Sequence, residues 1–166
     1  IQYDLELEST SDLKQRVRTP VEILQQPKQG TCLDLALLFC GLCLGYGLLP
    51  KLVMLEGHAL AVVSLNLPRD KWDSSRDSQK EFVGKRTRDS EGASKIVPAP
   101  LQDADLLKDL VDDELYVAVE CTGFAWSRTI DVEKESAELQ RDSKGYFSFE
   151  QAVQAGRQQL DRLPFQ

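Results

Sequence analysis

Residues 33–49 read LDLALLFCGLCLGYGLL, and this run constrains the fold more than any other part of the 166-residue chain. Its apolar positions cover the whole circumference of a helix, so the pattern predicts a helix buried on every side. Asp34 and the interspersed glycines leave it too short and too soft for a membrane span. Thr31 stands before it as N-cap, and Asp34 lies where the reciprocal carboxylate of a capping box belongs. Gly45 and Gly47 supply the stop. A helix of this kind needs cover, and the next segments offer it. "KLVMLEG" and "HALAVVSLNL" read as two strands, and their short junction at Gly57 predicts an antiparallel pair.

The remaining segments fit around that centre. "IQYDLELES" alternates and reads as a strand or extended lead-in. "TPVEIL" carries Thr19 as cap, Pro20 at the first helical position and Glu22 three residues after the cap, which opens a short helix. Pro27 and Gly30 end it. "PLQDADLLKDLVDD" predicts a helix and "ELYVAVECTGF" a strand. "SFEQAVQAGRQQLDRL" opens on Ser148 and Gln151 as another capping box and continues as an amphipathic helix. Residues 68–99 are charged, Ser-rich and without period, the pattern of a mobile surface insertion. The elements predict one α+β domain over residues 1–166.

Composition excludes several function classes. Hydrophobic and charged fractions of 42% and 28% are those of a globular chain, not a disordered one. A net charge of −7 argues against nucleic acid or an anionic membrane as the main partner. The opening residues do not have the pattern of a signal peptide, and the start at Ile1 is that expected of a module within a larger protein. The four cysteines are therefore expected as reduced thiols in a cytoplasmic protein. "CGLC" at 40–43 has CxxC spacing, but it lies inside an apolar helix with no second ligand pair. With one histidine in the chain, no metal and no cofactor are expected.

Cys32 is the residue that composition does not explain. A lone thiol is commonly core filler. In the first turn of a buried helix, however, it lies beside unpaired backbone amides and the positive end of the helix dipole, which favour the thiolate. The Cys32 amide could itself hold an oxyanion, with Gln26 or Gln29 as a second, side-chain donor. His58, the single histidine, opens a strand directly after Gly57, where a ring can project from a sheet end toward a helix mouth as general base. Glu120, enclosed by Val117, Ala118, Val119 and Cys121, reads as a mid-strand carboxylate in need of a partner and so as the orienting acid. Asp70 competes for that role from a segment leading into the charged insertion. Cys121 falls on the opposite strand face and reads as core. Arg16 and Arg18 read as surface ion-pair partners, with substrate contact as the alternative.

The segment "RTPVEILQQPKQGTCLDLALLFCGLCLGYGLLPKLVMLEGHALAVV" resembles the transglutaminase-like core of cysteine peptidases. The likeness lies in the Gly-Thr-Cys-x-Asp helix start, the "GLLPKLV" link, the Gly-His strand and a later acidic strand. "ECT" supplies Glu120 and Thr122 where members of the family more often carry Asp-x-Thr, and "YFSFEQAVQAGRQQL" is similar to a helix of bacterial members. The resemblance covers roughly residues 16–67 and 100–160. It implies a papain-like fold and a triad of Cys32, His58 and Glu120. It also implies a module of a larger protein, or one with an operon partner, in bacterial conflict or antiviral defence.

The residues and the resemblance together predict a cysteine hydrolase, with a thioester intermediate on peptide or glutamine amide bonds and proteolysis as its first activity. Deamidation and transglutamination share the same acyl-enzyme. The alternative from another class is an inactive interaction module that binds a partner through the insertion.

Overall fold

The buried carboxylate of Asp34 is the point around which the chain folds back on itself. The computed structural model describes residues 1–4, 16–25, 27–55, 57–66, 86–88, 94–96, 104–126 and 139–162. The central helix α2 spans Cys32–Gly45 and α1 spans Pro20–Leu24, each opened by the capping box expected at Thr31 and Thr19. Asp34 does more than cap. Its Oδ2 accepts from the Thr31 amide at 3.0 Å and from the Arg18 guanidinium at 2.8 Å, while Oδ1 accepts from the Arg18 amide at 2.8 Å. Three donors offset the desolvation of a fully buried charge and tie the chain before α1 to the first turn of α2. Arg18 is thus an anchor of a buried carboxylate and not a surface ion-pair partner. Arg16, paired with Glu22 at 2.7 Å, is the exposed pair expected.

Strand β1 (Gln2–Tyr3) runs parallel to β2 (Gln29–Gly30). The main sheet has the order β3-β4-β7, all antiparallel, built from β3 (Pro50–Leu55), β4 (His58–Ser64) and β7 (Tyr116–Val119). β3 and β4 join as predicted through Gly57, whose φ of +69° suits glycine. Ala59 and Ala61 of β4 face α2, and Leu60 and Val62 face the opposite side. There they meet α3 (Ala104–Asp112) and the end of α4 (Phe149–Asp161), so helices cover both faces of an α+β domain. Gly156 lets α4 lie directly on β7: a Cβ there would stand 2.7 Å from the Ala118 carbonyl carbon.

Two expectations change. The helix α2 is buried in its first turns, yet Leu42 is 56% and Tyr46 84% exposed. An all-round apolar pattern registers affinity for cover, and at this end of the helix Cys43 alone among the described residues is buried. The strand "ELYVAVECTGF" stops at Val119, and Cys121–Phe124 turn as a 3-10 helix capped by Glu120. The caps come from the side chain, because Glu120 bonds to the backbone two residues on and ends the ladder. The charged insertion expected at 68–99 lies mostly outside the described residues; those described within it form β5 (Arg86–Arg88) and β6 (Ser94–Ile96), an antiparallel pair with Arg86 opposite Ile96. Backbone pairing of polar segments leaves no hydrophobic period to read.

Candidate active site

Two elements bring an imidazole and a carboxylate to the helix carrying the thiol. β4 and β7 pair with Ala61 opposite Val119 and Ser64 opposite Tyr116, so the end of β7 runs alongside the start of β4. His58 begins β4, Glu120 follows β7, and Cys32 begins α2, which packs on β4. Cys32, His58 and Glu120 therefore come together.

The His58 ring joins the other two. Its Nε2 lies 2.5 Å from Glu120 Oε2. A carboxylate only accepts, so Nε2 carries the proton and Nδ1 is the nitrogen left for Cys32, whose thiol hydrogen-bonds to the ring. Glu120 is held in turn at its other oxygen. Oε1 accepts from the Thr122 hydroxyl at 2.7 Å and from the Thr122 amide at 3.0 Å. The Glu120 amide donates to the Ala152 carbonyl of α4 at 2.9 Å. The orienting acid is thereby fixed from both β7 and α4.

The electrostatics follow from this geometry. Burial opposes ionisation of Cys32, but the His58 ring, by hydrogen bond and by charge, outweighs it together with the Ala59 and Leu33 amides. The thiol sits below its ordinary value. Burial likewise opposes a charged His58, yet hydrogen bonds and charge from Cys32 and Glu120 raise it to about 10. Both shifts favour the same form of the pair, a thiolate beside an imidazolium. The other thiols move the opposite way. Burial raises Cys40 to about 11 and raises Cys43, and burial beside the Glu120 charge raises Cys121 further. Cys121 is 1% exposed, the core residue expected.

Two residues at the site escape sequence reasoning. Thr122 is visible only as part of an Asp-x-Thr-like pattern, without a role. Tyr3 gives no signal beyond strand alternation, because nothing in the chain tells where the first strand pairs. Its hydroxyl hydrogen-bonds to the Cys32 thiol, and burial together with the charges of Cys32 and Glu120 raises it to about 12. Gln29 lines a surface groove with Arg16, Arg18, Glu22, Gln25 and Pro27. Gln26 and Asp70 lie outside the described residues. Among the described residues no helix is long and apolar enough to cross a membrane.

Comparison with family models, with curated proteins and with solved structures finds no match to this chain.

Proposed function

We propose that this domain is a cysteine hydrolase of transglutaminase-like, papain-like kind, acting on amide bonds of a protein or peptide substrate. The observation that carries the reading is the geometry at the start of α2, where Cys32 meets the ring of His58 and His58 Nε2 lies 2.5 Å from a Glu120 carboxylate held by Thr122. The thiols agree with it: burial acts against ionisation of all four, and Cys32 alone is lowered.

The chemistry proceeds in two halves. The Cys32 thiolate adds to the amide carbonyl carbon, and the carbonyl electron pair moves onto oxygen. The adduct collapses as the His58 imidazolium gives its proton to the departing amine, leaving a thioester on Cys32. Neutral His58 then takes a proton from water, whose oxygen adds to the thioester carbonyl. Collapse expels the thiolate, releases the acid and restores the imidazolium. Glu120 keeps the ring aligned and stabilises its charge throughout. The same acyl-enzyme serves proteolysis, glutamine deamidation or, with an amine in place of water, transglutamination. Proteolysis within a bacterial defence or regulatory protein is the form the resemblance favours.

The test uses denatured casein as substrate, reading both new N-termini and released ammonia, with Cys32→Ser as control. New N-termini that depend on Cys32 support proteolysis, and Cys32-dependent ammonia alone supports deamidation. Neither product above the control contradicts the proposal.

A further inference from the structure

We propose that Tyr3 is a catalytic residue, its hydroxyl donating to the oxyanion that forms when Cys32 adds to a carbonyl. This rests on the reading of Cys32 as nucleophile and adds the side-chain donor which that chemistry requires.

The placement comes from backbone pairing at the edge of α2. Tyr3 lies opposite Gly30, two residues before the thiol, with Gln2 opposite Gln29. The Tyr3 amide donates to the Trp126 carbonyl at 2.7 Å, and the Asp4 amide donates to the Gly30 carbonyl at 3.1 Å. The strand is thus bonded on both sides, and its partners flank Cys32 on one side and the turn after Glu120 on the other. The phenol packs on the cluster that contains Cys32, Val119, Cys121 and Ala125, and its hydroxyl reaches the sulfur.

The hydroxyl is the right kind of group for the task. Raised to about 12 by burial and by the nearby negative charges, it stays protonated at neutral pH and remains a donor. The resting thiolate already has the His58 ring and the Leu33 and Ala59 amides. On addition the sulfur becomes part of a neutral thioether-like linkage, and the strongest acceptor beside the phenol is the new alkoxide on the adjacent carbon. The hydroxyl proton turns from sulfur to oxygen, with no bond broken. The Cys32 amide, in the first helical turn and without an intrahelical acceptor, is the second donor. Donors positioned before the reaction lose no reorganisation energy as charge develops.

Two reagents separate the roles. p-Nitrophenyl acetate acylates a thiolate through an oxyanion; iodoacetamide alkylates it by displacement, without one. In Tyr3→Phe, acylation of Cys32 should slow by roughly 10²–10³-fold, the usual loss for one oxyanion donor. Alkylation should proceed at the wild-type rate or faster, which also reports that the site is folded. Undiminished acylation overturns the role of Tyr3 and leaves the nucleophile standing. Equal loss in both reactions overturns it too, because the hydroxyl then serves the thiolate alone. A wild-type Cys32 slow toward both reagents removes the nucleophile and this proposal with it. Should the Phe variant unfold, 3-fluorotyrosine at position 3 keeps ring and hydroxyl with a more acidic O–H. Faster acylation supports the proposal, and an unchanged rate overturns it.

Discussion

Thr122 gives both its hydroxyl and its amide to one oxygen of Glu120, leaving the other oxygen to His58. The two residues form a closed unit, in which the carboxylate is aimed by the residue two positions on. Thr122→Val removes the hydroxyl but keeps the shape, so a buried acceptor loses a donor at a cost of about 1–3 kcal/mol. Turnover should fall with it, and Thr122→Ser should restore both. Thermal unfolding and the hydrolysis rate of the three proteins check this. Val at wild-type activity would mean that the amide alone suffices to aim Glu120.

Glu120→Gln keeps the volume and removes the charge that supports the imidazolium. By analogy with loss of the orienting acid in other triads, kcat should drop by about 10⁴ with KM little changed. The His58 ring should titrate below its wild-type value of about 10, because Glu120 supplies both a hydrogen bond and a charge to it. A single histidine makes the ring resonance unambiguous in an NMR titration. An unmoved titration would separate Glu120 from His58.

Stability should depend on pH through the same pair. His58 is raised in the folded state, so its contribution is full below about 6.5 and is lost as pH rises through about 10. Cys32 is lowered, so its contribution is present above about 8.5 and is lost as pH falls. Between those values the two compensate. Above about 8.5 the unfolded chain has released both protons while the folded pair keeps one, and stability declines. Cys40, Cys43 and Cys121, raised by burial, decline over the same range in any variant, so the double variant Cys32→Ser/His58→Gln, which removes the pair, should decline less steeply than the wild type. Denaturant titrations of both proteins from pH 7 to 10 check it, and parallel curves would contradict the ion pair.

Packing can be disturbed without touching the chemistry. Gly156→Ala puts a Cβ 2.7 Å from the Ala118 carbonyl carbon, so α4 must lift from β7. The cost should be about 1–3 kcal/mol, the range for overpacking. Because Ala152 of α4 holds the Glu120 amide, activity should fall as well. Leu35→Ala, on the buried turn of α2, should cost about 2–5 kcal/mol. The partly buried Leu38, where the all-round pattern predicts full burial, should cost less. Unfolding midpoints rank the three.

Local signals carried much of this architecture. The caps at Thr19, Thr31 and Ser148, the turn at Gly57 and the acid after Val119 are each written within a few neighbouring residues. Cys32 and His58 were legible because each opens an element, and an element's end points at a site. What could not be read depends on distant pairing. The register that sets Ala61 opposite Val119, and so Glu120 beside His58, has no local signature. Neither has the parallel contact that brings Tyr3 to Gly30. The guanidinium of Arg18 has its meaning only once Asp34 is known to be buried. The exposed end of α2 misled for a related reason, since composition records which residues seek cover and not which element supplies it.

The central claim is that His58 holds Cys32 as a thiolate. The rate of Cys32 alkylation by iodoacetamide, followed from pH 4 to 11 by peptide mass mapping, tests it most directly. The account predicts fast labelling of Cys32 with a midpoint well below about 8.5, the value for a free cysteine. Cys40, Cys43 and Cys121 should stay slow in the folded protein, and His58→Ala should move the Cys32 midpoint upward. A Cys32 midpoint at or above that of a free thiol, unmoved by His58→Ala, would contradict the account.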